Sequence, residues 1–176
     1  MANRLFLPLL LLTLSLPAPA DSRFYAGAGI GYGDLRLSRS HFNPRAFQFH
    51  AGGWVVENIG IELRLATETR DDSRHGITTS IPQITTAAIR FQSPEEWGLK
   101  VYVLLGGGRV TLDSRSRDGD FPGREDFDAA LVDIGLLSPL SDDRRWSLFL
   151  EAGRYFLDRD NDAPLTVGSL GVQYEF

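Results

Sequence analysis

The chain has 176 residues, which is enough for one domain with a sizeable core and too few for two large ones. It carries 18 basic and 23 acidic residues, and this acidic balance argues against a nucleic-acid-binding function. The absence of cysteine excludes disulfides and thiolate metal sites. The 18 glycines and the aromatic content of 11% favour strands and tight turns over helices.

The first twenty residues have the three-part layout of a secretory signal peptide. Arg4 gives a positive start, residues 5–16 form a leucine-rich apolar run, and Ala18 and Ala20 have the spacing that signal peptidase prefers. The run is too short to span a bilayer as a helix, which disfavours the alternative of an N-terminal anchor. We therefore predict a signal peptide at 1–20 and a mature domain at 21–176, in which the loss of Arg4 leaves 17 basic residues against 23 acidic ones.

Apolar residues alternate with polar or small residues in eight separate segments of the mature chain. The clearest is 58–68, in which Ile61 and Leu63 alternate with Glu62 and Arg64. Strands that span a membrane need about 9–11 residues, whereas strands of soluble domains are usually nearer 5–6. The eight predicted strands cover 23–35, 45–55, 58–68, 79–91, 98–110, 127–137, 145–156 and 165–176. Pro82 weakens the upper end of the fourth strand, and the three glycines 106–108 predict a bulge in the fifth.

The connections between these strands alternate in length. Long, charged gaps at 36–44, 69–78, 111–126 and 157–164 alternate with short gaps at 56–57, 92–97 and 138–144. Membrane barrels of the bacterial outer membrane have long loops at one end and short periplasmic turns at the other. The pattern predicts an all-β fold, an eight-stranded antiparallel transmembrane up-and-down β-barrel.

Aromatic residues cluster near the predicted short turns. An interfacial girdle requires rings that lie in the acyl boundary while their polar groups stay hydrated. The alternative interpretation is a set of core tryptophans in a soluble β protein. The predicted girdle consists of Trp54, Trp97, Trp146, Phe24, Phe91 and Phe176.

The last strand carries the most specific pattern, because Leu170, Val172 and Tyr174 precede a terminal Phe176 at alternating positions. Together with the alternating glycines of 25–32, this pattern resembles the small outer-membrane β-barrel families of the OmpA transmembrane domain, OmpX and opacity-protein type. The resemblance covers the whole mature chain. It implies a Gram-negative outer-membrane location and a C-terminal assembly signal that the barrel-assembly machinery recognises, but no particular activity.

The rows opposite the aliphatic residues are expected to face the lumen. Buried charges are costly unless they pair, and an eight-stranded barrel is just wide enough for its own side chains. We therefore expect a paired polar network and a closed lumen, with a gated ion path as the alternative. The predicted lumen residues are Gln48, His50, Glu62, Arg64, Arg90, Lys100, Asp133, Glu151 and Glu175.

No catalytic or metal site is expected. His41 and His75 fall in predicted loops, His50 falls in the lumen, and no His-x-Ser pair of the lipid A deacylase type is present. The aspartates of 158–162 have the spacing of a calcium-loop start, but Ala163 and Ser169 stand where glycine and glutamate would be required. A charged hairpin loop explains this segment better, and no cofactor is implied.

The leading hypothesis is a structural or interaction protein that displays four polar loops and contributes to envelope integrity or surface contact. The alternatives are a narrow channel for ions or small solutes and a lipid A-modifying enzyme. Arg115, Arg117 and Arg124 could contact lipopolysaccharide phosphates, or could serve only solubility and repulsion between loops. The expected partners are outer-membrane lipid, lipopolysaccharide and the assembly machinery, with the barrel itself a monomer.

Overall fold

The computed structural model describes residues 23–37, 40–43, 45–70, 72–74, 77–116, 123–158 and 164–176. These residues form ten strands, and they contain no helix that is long and apolar enough to cross a membrane. The predicted signal peptide lies outside the described residues and stays a prediction.

Eight long antiparallel strands form the barrel wall. Their bounds are β1 (Phe24–Leu37), β3 (Arg45–Val56), β4 (Ile59–Arg70), β6 (Ile77–Gln92), β7 (Lys100–Ser116), β8 (Gly123–Pro139), β9 (Trp146–Leu157) and β10 (Pro164–Glu175). Two short strands, β2 (Ser40–Phe42) and β5 (Asp72–Arg74), pair with β1 and β6 above the wall. Successive wall strands pair with each other and β10 pairs with β1, so the sheet closes. This confirms the predicted eight-stranded up-and-down barrel.

The register of the ladders fixes the stagger of the barrel. A line of paired residues that starts at Phe24 crosses the other seven wall strands and returns to β1 at Asp34, ten residues further along the strand. This stagger makes the strands tilt against the barrel axis, and a barrel of this size encloses only enough space for side chains. The line passes through Gly53, Ile61, Ile89, Leu105, Val132, Arg154 and Thr166.

Large apolar side chains cover the outer surface of every wall strand. Ile61, Leu63 and Leu150 are each more than half exposed, with 56%, 61% and 55% of their surface accessible. A soluble protein rarely exposes a continuous apolar surface of this extent, whereas a bilayer requires one. The other exposed members include Ile30, Phe47, Phe49, Ile89, Leu105, Val132, Ile134, Leu148 and Leu170.

The long-loop end contains more strand than the sequence predicted. β7 continues to Ser116 and β8 begins at Gly123, so most of the predicted loop 111–126 is a hairpin that projects above the wall. β2 and β5 lie inside the predicted loops 36–44 and 69–78. Above the membrane both faces of a strand can meet water, so the apolar alternation that marks a strand in the sequence is not needed there.

The predicted bulge in residues 106–108 is wrong. The ladders on both sides of these glycines run without a register shift. A Cβ on Gly106 or Gly108 would collide with the backbone of β6 at Ala87 or Thr85, so the two glycines allow β6 and β7 to approach closely. The irregularity in β6 lies instead between Ser80 and Gln83, around Pro82, which lacks the N–H that a regular ladder needs.

Candidate functional site

The inward rows of all eight wall strands bring polar side chains together in the half of the lumen nearer the short turns. Arg64 is one centre of this cluster. Its Nη1 donates hydrogen bonds to Asp133 Oδ2 and Glu151 Oε2, both at 2.9 Å, and its Nη2 donates to Glu151 Oε1 at 2.7 Å. Its Nε is paired with Glu62. A single guanidinium therefore joins three carboxylates.

Arg90 is the second centre and is fully buried. Its Nη1 donates to Glu62 Oε2 at 2.9 Å and to Gln173 Oε1 at 3.0 Å. Its guanidinium carbon also lies 3.9 Å from the ring centroid of Tyr102 and 4.7 Å from that of Tyr25. Two aromatic faces and a carboxylate therefore surround the guanidinium charge, which is shielded from water.

Neutral side chains complete the hydrogen bonding of the carboxylates. Gln48 donates to Glu151 Oε2 at 3.0 Å and accepts from the Ser169 hydroxyl at 2.8 Å. The Tyr25 hydroxyl donates to Glu62 at 3.0 Å, and the Tyr102 hydroxyl donates to Glu151. We call this set the lumen cluster, and its members are Tyr25, Gln48, His50, Glu62, Arg64, Arg90, Tyr102, Asp133, Glu151, Ser169 and Gln173.

Large side chains of the lumen cluster face glycines across the strand pairs. Tyr25 lies opposite Gly52, and Tyr102 lies opposite Gly135. In both cases a Cβ on the glycine would collide with the tyrosine ring. The same arrangement sets His50 against Gly27 and Asp133 against Gly153, and it sets Phe149, which packs on His50 beside the cluster, against Gly171. These glycines supply the space that the cluster occupies.

Apolar side chains fill the half of the lumen nearer the long loops. They form one buried cluster, the upper apolar layer, which consists of Ile81, Ile84, Val110, Leu112, Ala129, Leu131, Tyr155, Leu157 and Leu165. A cavity of about 30 Å³ remains beside it, lined in part by Gly31, Ala46 and Ala66. That volume holds about one or two water molecules. The described part of the lumen is therefore filled by a polar layer and an apolar layer in series.

Seven of the nine predicted lumen residues lie in the lumen cluster with buried side chains. Lys100 and Glu175 are only half-buried at the short-turn end and make no hydrogen bond to the cluster within the described residues. The prediction omitted Tyr25, Tyr102, Ser169 and Gln173. The alternation could have revealed three of them, because Tyr102 stands on the row of Lys100 and both Ser169 and Gln173 stand on the row of Glu175. Tyr25 stands on the glycine row of β1, which carries no predicted charge.

The predicted girdle residues do not all face outward. Trp54 differs from the prediction: its ring packs 5.3 Å from the Tyr25 ring, and the Arg90 guanidinium lies 5.6 Å from its centroid. It therefore closes the lumen at the short-turn end. Its position two residues beyond Gly52 continues the inward row, so the two-residue period could have revealed this placement.

The other predicted girdle residues are exposed at the short-turn end. Trp146 packs 4.9 Å from Tyr174, which packs 5.1 Å from Phe176, while Phe24 and Phe91 lie on outward rows. Trp97 is 98% exposed in the turn between β6 and β7. Trp97 and Gly98 have φ values of 55° and 75°, as a two-residue type I′ turn requires.

Three arginines on outward rows lie near the upper edge of the apolar belt. The Arg45 guanidinium is 5.4 Å from the Tyr32 ring centroid, and that of Arg154 is 5.3 Å from the Phe156 centroid. Arg109 pairs with Asp128 at 3.5 Å. The sequence prediction missed these arginines, although each continues an alternating outward row.

The remaining sequence candidates have few described side chains. Arg124 is exposed near the start of β8, whereas residue 117 and the side chain of Arg115 lie outside the described residues. The same holds for His75, for the side chain of His41 and for residues 159–163 of the aspartate-rich segment. Among the residues that the structure does describe, no group of three or more His, Asp or Glu side chains is placed to hold a metal ion.

No protein-family model matches the chain, and no curated protein matches it. Solved structures do. The attachment invasion locus protein Ail of Yersinia pestis, in complex with the heparin analogue sucrose octasulfate, matches with a TM-score of 0.64 at 18% identity, over 88% of this chain and 99% of that one. The chain has the fold of the small outer-membrane β-barrels.

Two further structures of this fold support that statement. Neisserial surface protein A matches with a TM-score of 0.65 at 12% identity, over 87% of this chain and 97% of its own. The outer-membrane protein OprG of Pseudomonas aeruginosa matches with a TM-score of 0.57 at 11% identity, over 88% of this chain and 96% of its own. At these identities the likeness concerns the fold.

Proposed function

We propose that this chain is a Gram-negative outer-membrane β-barrel with a non-conducting lumen, whose role is structural or interactive. The observation that carries the proposal is the filled lumen. Arg64 is held by three carboxylates, Arg90 is held by the Glu62 carboxylate and two tyrosine rings, and the upper apolar layer lies between them and the long loops. Side chains thus take up the space that a transported solute would need.

A gated channel is the less favoured alternative. Rearrangement of salt bridges in the lumen cluster would open only the polar layer, because Leu131, Leu157 and Leu165 would still block the path above it. Ions enter an apolar constriction at a high cost in desolvation free energy. Conduction would therefore require both layers to change at once.

A role in surface contact is supported by the architecture of the long-loop end. The hairpin formed by β7 and β8 projects above the wall and carries charged residues such as Arg124 and Asp126. The similar protein Ail is named for attachment and invasion, and its structure contains a heparin analogue. We extend to this chain only the general idea that the polar loops contact other surfaces. Within the part of the chain that the structure describes, no set of residues supports a lipid A-modifying activity.

Lipopolysaccharide, outer-membrane lipid and the barrel-assembly machinery are the proposed partners of a monomeric barrel. The arginines near the upper edge of the belt are suited to phosphate groups, because a guanidinium can bind two phosphate oxygens at once. Arg124 is exposed in this region, and the sequence adds Arg115 and Arg117 to the same hairpin. The last strand supplies the proposed assembly signal.

The proposal is tested by two measurements on the whole protein. Isolated outer membranes should contain it, and unheated samples should migrate faster in electrophoresis than boiled ones, because a closed barrel resists detergent until heated. Purified barrel in planar lipid bilayers should give no steady conductance. The comparison is a variant with Leu131→Ser, Leu157→Ser and Leu165→Ser, in which the upper apolar layer is weakened. Absence from the outer membrane, or steady ion conductance by the unchanged protein, would overturn the proposal.

A further inference from the structure

One side of the apolar belt is lined by small residues. A line of paired outward positions crosses four strands as Leu63, Ala87, Gly107 and Ala130. The neighbouring line towards the short turns carries bulky side chains, namely Ile61, Ile89, Leu105 and Val132. Ala87 and Gly107 form the floor of an open groove of about 650 Å³ on the outer face of β6 and β7.

The upper end of this groove is charged. The next line of paired outward positions runs Leu65, Thr85, Arg109 and Asp128, so Arg109 stands directly above the floor. The side chain of Arg109 is 64% exposed, and Arg124 lines the groove further up. The groove therefore has an apolar floor and two guanidinium groups at its upper end.

Three carboxylates lie near these arginines, those of Asp113, Asp126 and Asp128, and each already has an interaction partner. Asp128 is the partner of Arg109, at a distance of 3.5 Å that leaves the ion pair weak and open to competition. Asp126 accepts a hydrogen bond of 2.6 Å from the Thr111 hydroxyl. A phosphate could therefore replace Asp128 as the partner of Arg109.

The apolar part of the groove lies at hydrocarbon depth, where water is absent. An unfilled concavity there would forfeit dispersion contacts, so a lipid acyl chain is its natural occupant. Guanidinium groups at the upper end select a lipid with a phosphorylated headgroup. These groups stand at the long-loop end, which is the cell-exterior side if the short turns are periplasmic.

We propose that this groove is a binding site for one lipopolysaccharide molecule. One acyl chain lies along Leu63, Ala87 and Gly107, and a lipid A phosphate is bound by Arg109 and Arg124. This inference rests on the proposed outer-membrane location. It assigns the lipopolysaccharide contact to the outer wall of the barrel, rather than to the tip of the β7–β8 hairpin.

Native mass spectrometry of the folded, full-length mature barrel tests the site. The probes are bisphosphorylated lipid A and phosphatidylglycerol, titrated separately. Two groove variants are compared with the unchanged protein: Gly107→Leu, which fills the floor, and the double variant Arg109→Gln with Arg124→Gln. The matched controls are Ala152→Leu on the outward row of β9 and the double variant Arg144→Gln with Arg145→Gln, which removes two exposed arginines from the short turn before β9; all three positions lie outside the groove.

Each groove variant is expected to weaken lipid A binding about tenfold, while each control stays within about twofold. The heat-dependent mobility shift of every variant verifies that it has folded. Unchanged lipid A binding by folded groove variants would overturn the site and leave the proposed function intact. A groove-dependent preference for phosphatidylglycerol would overturn the assignment to lipopolysaccharide. Absence of the unchanged protein from outer membranes would instead reject the proposed function.

Discussion

The lumen cluster contains an unequal number of opposite charges. Two guanidiniums, Arg64 and Arg90, face three carboxylates, those of Glu62, Asp133 and Glu151. Asp133 is the least integrated of the three, because it accepts one hydrogen bond and its Oδ1 has no partner among the described residues. Glu151, in contrast, accepts hydrogen bonds from three side chains. The two acids should therefore differ in their importance for stability.

We predict that Asp133→Asn changes the free energy of unfolding by less than about 1 kcal/mol, whereas Glu151→Gln lowers it by about 3–5 kcal/mol. The asparagine keeps an acceptor for Arg64 and removes the excess charge. The glutamine instead places an NH2 donor at a position that accepts hydrogen bonds from Gln48, Arg64 and Tyr102, so it leaves buried donors without an acceptor. Urea unfolding of the barrel in lipid vesicles measures both values. Equal losses for the two variants would contradict the assigned roles.

The outward side chains should respond to charge according to their depth. Leu105 stands near the middle of the outward row of β7, and Val101 is the second residue of that strand, close to the short turns. We predict that Leu105→Arg destabilises the folded barrel by about 2–4 kcal/mol and Val101→Arg by about 0–1 kcal/mol. Unfolding titrations in vesicles test this order. A larger loss at Val101 would mean that the belt is displaced towards the short turns.

At the scale of strands, the sequence predicted the wall well because each strand has one face in lipid. The predicted segment 45–55 differs by one residue from the observed β3 (Arg45–Val56). The prediction failed for the hairpin of β7 and β8 above the membrane, where polar residues on both faces leave no alternation. The misplaced bulge has a related cause, since a run of glycines in a sequence does not reveal whether a strand bends or approaches its neighbour.

The close approach of β6 and β7 gives a test at this scale. Gly108→Ala should destabilise the barrel by about 1–3 kcal/mol, because the new methyl group would collide with the backbone at Thr85. Gly107→Ala is the matched control, since its Cβ would point outward and lie 3.4 Å from the nearest atom, Ala129 O. The heat-dependent mobility shift and urea midpoints compare the two. Equal midpoints would contradict the close approach.

At the scale of the whole molecule, the last strand has two separable roles. It closes the barrel, and the Phe176 amide donates a 2.8 Å hydrogen bond to the Phe24 carbonyl. The sequence pattern additionally predicts that its side chains form an assembly signal. The backbone hydrogen bond persists when any residue except proline replaces Phe176. Recognition of the aromatic side chain would be lost when the ring is removed.

We therefore predict that Phe176→Ala lowers the yield of barrel in outer membranes several-fold, while the purified variant still refolds in detergent with a heat-dependent mobility shift. Immunoblots of membrane fractions and electrophoresis of refolded protein measure the two effects. Leu165→Ala, which truncates a buried side chain of the upper apolar layer, is the comparison that should affect refolding more than assembly. Unchanged membrane yield for Phe176→Ala would remove the assembly role.

The sequence alone determined that the chain forms a closed barrel and which rows face lipid, because a two-residue period at a lipid boundary fixes the direction of every side chain. Only the tertiary structure decided which lumen groups pair. Gln48 and Glu151 are 103 residues apart, and the ten-residue stagger of the closed sheet sets them at one level. The separation of polar and apolar lumen layers, the inward ring of Trp54 and the lipid-facing groove likewise depend on neighbours across the sheet, which the period of a single strand does not specify.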